Sequence, residues 1–128
     1  MIQPHELRIG NMVNTIYGIT TIIGVVDNGL EDYAMFIRTD SGHLHRTDGT
    51  KSTPIPLTEE WLIKAGFVGN EFKVFRLNDF KIGLNGDDIV HQQYTCIYKQ
   101  AISVKVKHLH QLQNLYYCLC GEELKIEI

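Results

Sequence analysis

Lys107-His-Leu-His-Gln-Leu-Gln-Asn-Leu-Tyr-Tyr-Cys-Leu-Cys-Gly-Glu-Glu-Leu124 is the stretch whose reading decides the fold. At about 100° per residue, Leu109, Leu112, Leu115, Tyr116 and Leu119 fall on one apolar face, which predicts an amphipathic helix. Gly121 follows the last periodic residue and reads as the helix stop, because glycine accepts the left-handed backbone found there. Beyond it Leu124, Ile126 and Ile128 alternate with Glu123, Lys125 and Glu127, the period of a strand. The opposite helix face carries His110, Gln113, Asn114 and Tyr117 at offsets of zero, three, four and seven. All four hydrogen-bond and none has a formal charge at neutral pH. A solvated face more often carries Lys and Glu. This row therefore reads either as packed against a polar segment of the chain or as a contact surface, and it is the candidate interaction surface.

Working outward, residues 1–9 form an opening segment and Gly10-Asn11 a turn. Met12–Ile16, Ile19–Val26, Tyr33–Thr39 and His43–Thr47 read as four short strands, separated by turns that include Asp27-Asn28-Gly29 and Asp40-Ser41-Gly42. They predict a curled antiparallel sheet or partial small barrel. Pro54-Ile-Pro56 closes this lobe, since proline cannot donate to a ladder. Thr58 caps a short helix with Glu59 and Glu60 in its first turn and Gly66 at its end, its buried side being Trp61, Leu62 and Ala65. Phe72–Leu77 and Phe80–Leu84 flank Asn78-Asp79, a two-residue hairpin. Asn85-Gly86 turns the chain into Ile89–Tyr98, which includes Gln92 and Gln93, and Ala101–Val106 completes the meander. The expected fold is α+β in one domain of two lobes. Residues 1–54 form a curled β lobe, and 55–128 a short linking helix followed by an antiparallel meander packed by the C-terminal helix.

Composition bounds the function. The 128 residues are 44% hydrophobic and 21% charged, ordinary for a soluble globular chain. A net charge of −3 argues against broad electrostatic binding of nucleic acid, though not against a local basic patch. No apolar run approaches the ~20 residues of a membrane helix, so no membrane is expected as a partner. The N-terminus lacks the pattern of a secretory signal. Cys96, Cys118 and Cys120 are odd in number and fit a reducing cytoplasm rather than a disulfide framework.

Chemistry-bearing patterns are sparse. His43 and His45 would share a strand face and could hold zinc given a third ligand. His108/His110 and Cys118/Cys120 diverge by about 200° on a helix. Asp87-Asp88 reads as a solvated turn, too short for a calcium loop. Cys96 with His91 could form a thiolate pair, but its apolar strand reads as a buried site. Glu59-Glu60 is explained by helix capping and Glu122-Glu123 by a helix exit. No phosphate loop, nucleophile elbow or cofactor motif is present. The expectation is no enzyme, no cofactor and no metal. Six basic residues against three acidic ones between Lys73 and Lys107, with Phe75, Phe80, Tyr94 and Tyr98 among them, raise single-stranded nucleic acid as a ligand. The plainer reading puts those aromatics in the core and leaves nucleic acid disfavoured.

Three segments carry a resemblance. Glu6-Leu-Arg-Ile-Gly-Asn11, Pro54-Ile-Pro-Leu-Thr-Glu-Glu-Trp-Leu-Ile-Lys-Ala-Gly-Phe67, and His110-Gln-Leu-Gln-Asn-Leu-Tyr116 with Gly121-Glu-Glu-Leu124 resemble a family of small uncharacterised proteins of Bacteroides-type gut bacteria and their phages or mobile elements. Cys118 and Cys120 depart from its usual pattern. The resemblance implies a cytoplasmic protein of phage or mobile-element character and carries over no catalytic residue. The leading expectation is a non-enzymatic binding or accessory protein that self-associates as a homo-oligomer through the helix row. The alternatives are a small-molecule or nucleotide-binding protein that counters a host defence, and a single-stranded nucleic-acid binder.

Overall fold

The computed structural model describes residues 2, 4–27, 33–70, 74–84, 94–99 and 102–127. The turns at Asn28-Gly29 and Asn85-Gly86, and Lys73, Asp87-Asp88, His91, Gln92 and Gln93, lie outside the described residues. Strands β1 (Met12–Thr15), β2 (Gly18–Asp27), β3 (Tyr33–Thr39) and β4 (Leu44–Asp48) form one antiparallel sheet. Helix α1 (Glu59–Lys64) precedes a second antiparallel sheet of β5 (Val68–Gly69), β6 (Val74–Leu77), β7 (Phe80–Leu84), β8 (Tyr94–Tyr98) and β9 (Ile102–Val106). Helix α2 (Leu109–Cys120) follows. The fold is α+β, as the patterning predicts, and among the described residues no helix is long and apolar enough to cross a membrane.

Three features differ from the expectation. The sheets do not close into a barrel. The first keeps the open order β1-β2-β3-β4, and the outer side of β1 is taken by a bridge in which Asn14 and Thr53 exchange both backbone hydrogen bonds, at 3.0 and 2.9 Å. The second difference is the place of α2. Leu109–Glu123 groups with Met1–Ile55, while Pro56–His108 groups with Leu124–Ile128. The helix therefore belongs with the first sheet, and the division expected at 54/55 assigned it to the wrong lobe. Its side-chain bonds to residues 6–12, set out below, are the reason. Thirdly, residues 123–127 are not a strand. Leu124 is buried and the alternation survives in burial, but Glu127 N–H donates to the Lys64 carbonyl at the end of α1, which offers no ladder.

The first unit packs Val13, Ile22, Tyr33, Met35 and Ile37 with Ile2 of the opening segment. Alternation aims these inward and leaves Phe36 and Arg38 outward. In the second unit Phe75, Ile82 and Cys96 lie opposite one another across β6, β7 and β8 and are all buried. α1 begins as expected: Thr58 Oγ1 accepts from Trp61 N–H at 3.4 Å, and Leu62 and Ala65 are buried while Ile63 is exposed. α2 ends as expected at Gly121, with φ +73° and its N–H donating to the Tyr117 carbonyl.

Cys96 has no reactive character. Burial pushes its thiol from 9.0 up to about 12. A thiol reagent is expected to modify Cys118 and Cys120, both exposed, in the folded protein and Cys96 only on unfolding. Three fast thiols under native conditions would refute this. The unfolded thiol ionises first, so the native state binds more protons between pH 9 and about 12. Stability should fall across that window, this group contributing about 1.4 kcal/mol per pH unit.

Candidate functional site

The helix row is mostly committed inside the chain. His110 and Gln113 are each 2% exposed. Gln113 Oε1 accepts from Met12 N–H at 2.9 Å, and its Nε2 donates to the Gly10 carbonyl at 3.1 Å. Asn114 Oδ1 accepts from Arg8 Nε and Asn11 Nδ2, and its Nδ2 donates to the Glu6 carbonyl. Arg8 is the hub of this contact. It pairs with Glu123, donates to the Gln113 carbonyl and lies 4.3 Å from the centre of the Tyr117 ring. Only Tyr117 keeps a large exposed surface, 43%. Two segments far apart in sequence, 6–11 and 110–124, thus meet and satisfy each other. A hollow of about 310 Å³ beside them is lined by His110, Asn114, Leu115 and Cys118, with Glu6 and Gln111.

The other sequence candidates do not assemble. His43 bonds Ser41 through Nδ1 at 2.9 Å, while His45 stacks on Tyr17 with ring centres 4.0 Å apart. No three His, Cys, Asp or Glu side chains come together as a metal site among the described residues. Phe75, Phe80 and Tyr94 are buried, so they form core and not a stacking face.

Another hollow lies at the turn end of the second sheet. It is open to solvent, has a volume of about 400 Å³ and is lined by Arg76, Asn78, Asp79, Phe80, Lys81, Ile97 and Lys99, of which Phe80 is buried and the charged residues are exposed. The hairpin builds it. A two-residue turn at Asn78-Asp79 pairs Leu77 with Phe80 and so places Arg76 directly opposite Lys81. Lys81 lies opposite Ile97 on β8, which makes one row across three strands. The neighbouring turn is tied in by Lys99 N–H, which donates to the Asp79 carbonyl at 3.1 Å. Asn78 and Lys99 both hold φ at 52°. That conformation is ordinary for Asn but costs a lysine about 1 kcal/mol. The Lys99 ammonium lies 5.3 Å from the centre of the Tyr98 ring.

Three cations thus border the cavity against one carboxylate, Asp79. None of the three is in an ion pair among the described residues. Like charges directly opposite on a sheet cost stability, roughly 0.2–1 kcal/mol. The sequence held a signal for this site: once Asn78-Asp79 is read as a two-residue turn, the pairing of Arg76 with Lys81 follows by counting. The cavity can hold an anion, with arginine offering a planar fork of donors and the lysines mobile point charges.

No family model, curated protein or solved structure matches this chain.

Proposed function

We propose that the protein is a non-enzymatic binding protein whose ligand is a small phosphate-bearing molecule of mononucleotide size, held in the cavity at the turn end of the second sheet. The observation that carries this reading is the cluster of Arg76, Lys81 and Lys99 around about 400 Å³ with a single carboxylate among them. The volume falls in the range of small-molecule sites. An excess of two positive charges suits a phosphate dianion, and a ligand that neutralises Arg76 and Lys81 removes their cross-strand repulsion. The lining supplies cations and hydrogen-bond donors, the means of holding a ligand.

Calorimetric titration with pyrophosphate and a panel of mononucleotides at low salt tests it. Arg76→Ala with Lys81→Ala is expected to weaken binding about 100-fold, from two charge-assisted hydrogen bonds at roughly 1.5 kcal/mol each. The same double variant should unfold at an equal or higher temperature, because the like-charge pair is gone. Absence of heat with every phosphorylated compound at millimolar concentration would sink the reading. So would a double variant that binds like the parent. Self-association, expected from the sequence, now rests on Tyr117 as the exposed member of the row, and a native mass spectrum of the same protein reads the number of copies.

A further inference from the structure

We infer that the outward face of the first sheet is a docking surface for single-stranded nucleic acid, separate from the cavity of the second sheet. Register sets its centre. Phe36 of β3 lies opposite Arg46 of β4, and Arg38 lies opposite Leu44. All four are exposed, Phe36 by 41% and Leu44 by 66%. The two arginines are diagonal neighbours, roughly 7–8 Å apart at this position in an antiparallel pair. On the other side of Phe36 stands Gly24, at a register shift in β2. A Cβ built there would sit 3.5 Å from Phe36 Cδ2, so the ring leans over bare backbone. Ile19 and Val26 of β2 continue the face as exposed apolar residues.

The occupant follows from charge. Neither Arg38 nor Arg46 has an acidic partner among the described residues. Among the described residues Asp48 is a carboxylate on this face; it stays ionised, accepts from the N–H and hydroxyl of Thr50 at 2.9 and 2.7 Å, and forms no ion pair with Arg46. An exposed aromatic flanked by two guanidinium groups that are unpaired among the described residues gives a base a stacking platform and adjacent phosphates their counter-charges. A duplex fits poorly, because its bases are already stacked and out of reach of Phe36. A second copy of the same face also fits poorly, because a two-fold contact brings arginines against arginines. The chain's net charge of −3 acts at long range and is screened beyond about 8 Å at physiological salt. Contact phosphates feel the local pair instead.

Fluorescence anisotropy of a labelled oligothymidylate on the full chain, with a duplex of equal length beside it, decides the matter. The single strand is expected to bind and the duplex not. Phe36→Ala should weaken binding about tenfold through loss of base stacking. Arg38→Ala with Arg46→Ala should flatten the slope of log K against log salt by about 0.7 for each phosphate contact removed. Arg76→Ala with Lys81→Ala should cost the oligonucleotide less affinity than Arg38→Ala with Arg46→Ala does, which separates this surface from the cavity. These are surface changes, and thermal unfolding at or above the temperature of the parent confirms the fold in each variant. No binding of oligothymidylate at 50 mM salt overturns the inference. Equal binding of duplex and single strand, or loss through Arg76 and Lys81 instead, also overturns it. So does a dimer that Phe36→Ala dissolves while no oligonucleotide binds.

Discussion

Gln113→Leu is expected to destabilise the first unit by about 3 kcal/mol, although it replaces an amide by an apolar side chain of similar size at a buried position. Gln113 is 2% exposed and its amide serves two backbone groups, the Met12 N–H and the Gly10 carbonyl. Leucine can serve neither. Each group stranded away from water costs roughly 1–3 kcal/mol, and the burial of leucine recovers only part of this. Tyr117→Ala is the control on the same helix row. Its ring is 43% exposed and is held by the Arg8 guanidinium, an interaction of about 0.5–1 kcal/mol. Urea unfolding followed by circular dichroism at the helix band should separate the two variants clearly. Fluorescence of Trp61, the sole tryptophan, reports the second unit independently. If Gln113→Leu moves the dichroism midpoint by less than 0.5 kcal/mol, the row does not hold α2 in place and its role as a partner surface regains ground.

That residue also shows where sequence reading stops. Periodicity located α2 to within two residues and named Leu109, Leu112 and Tyr116 as buried, because apolar burial follows a fixed angular period. The buried arc is turned further, toward His110 and Gln113, leaving Leu115 and Leu119 half-exposed. An uncharged polar row carries two meanings in sequence. Which one holds depends on whether backbone groups from a distant segment arrive to meet it. Here Gly10 and Met12 do, more than a hundred residues away. The same limit explains the misplaced helix. A pattern of period 3.6 states that one side is covered and is silent on what covers it. The cavity was more legible than it looked. The two-residue hairpin at Asn78-Asp79 follows from its turn residues, and its register alone sets Arg76 against Lys81. What the sequence did not hold was the approach of Lys99 from the next turn, fixed by one backbone bond to Asp79.

Gly49→Ala is expected to cost the first unit about 2–3 kcal/mol, at a position where sequence suggests only a turn residue. Gly49 follows the cap Asp48, whose carboxylate accepts from Thr50, and it opens a short 3-10 turn. A methyl group there would drive into the Tyr33 ring, inside contact distance of three of its carbons. The ring cannot swing aside cheaply. Tyr33 is 1% exposed and packed in the core with Ile2, Met35 and Ile37, and its hydroxyl donates to the Ile2 carbonyl at 2.6 Å. Overpacking of this kind costs roughly 1–3 kcal/mol, and breaking the buried hydroxyl bond adds about 1. The usual gain of Gly→Ala through the unfolded chain, about 0.4–1 kcal/mol, offsets little of this. A double-mutant cycle identifies the cause. Tyr33→Ala alone should cost about 3–5 kcal/mol, but Gly49→Ala added to it should cost almost nothing, since the ring it strikes is gone. Strict additivity of the two changes would show that the alanine acts on the turn itself and not on the tyrosine above it.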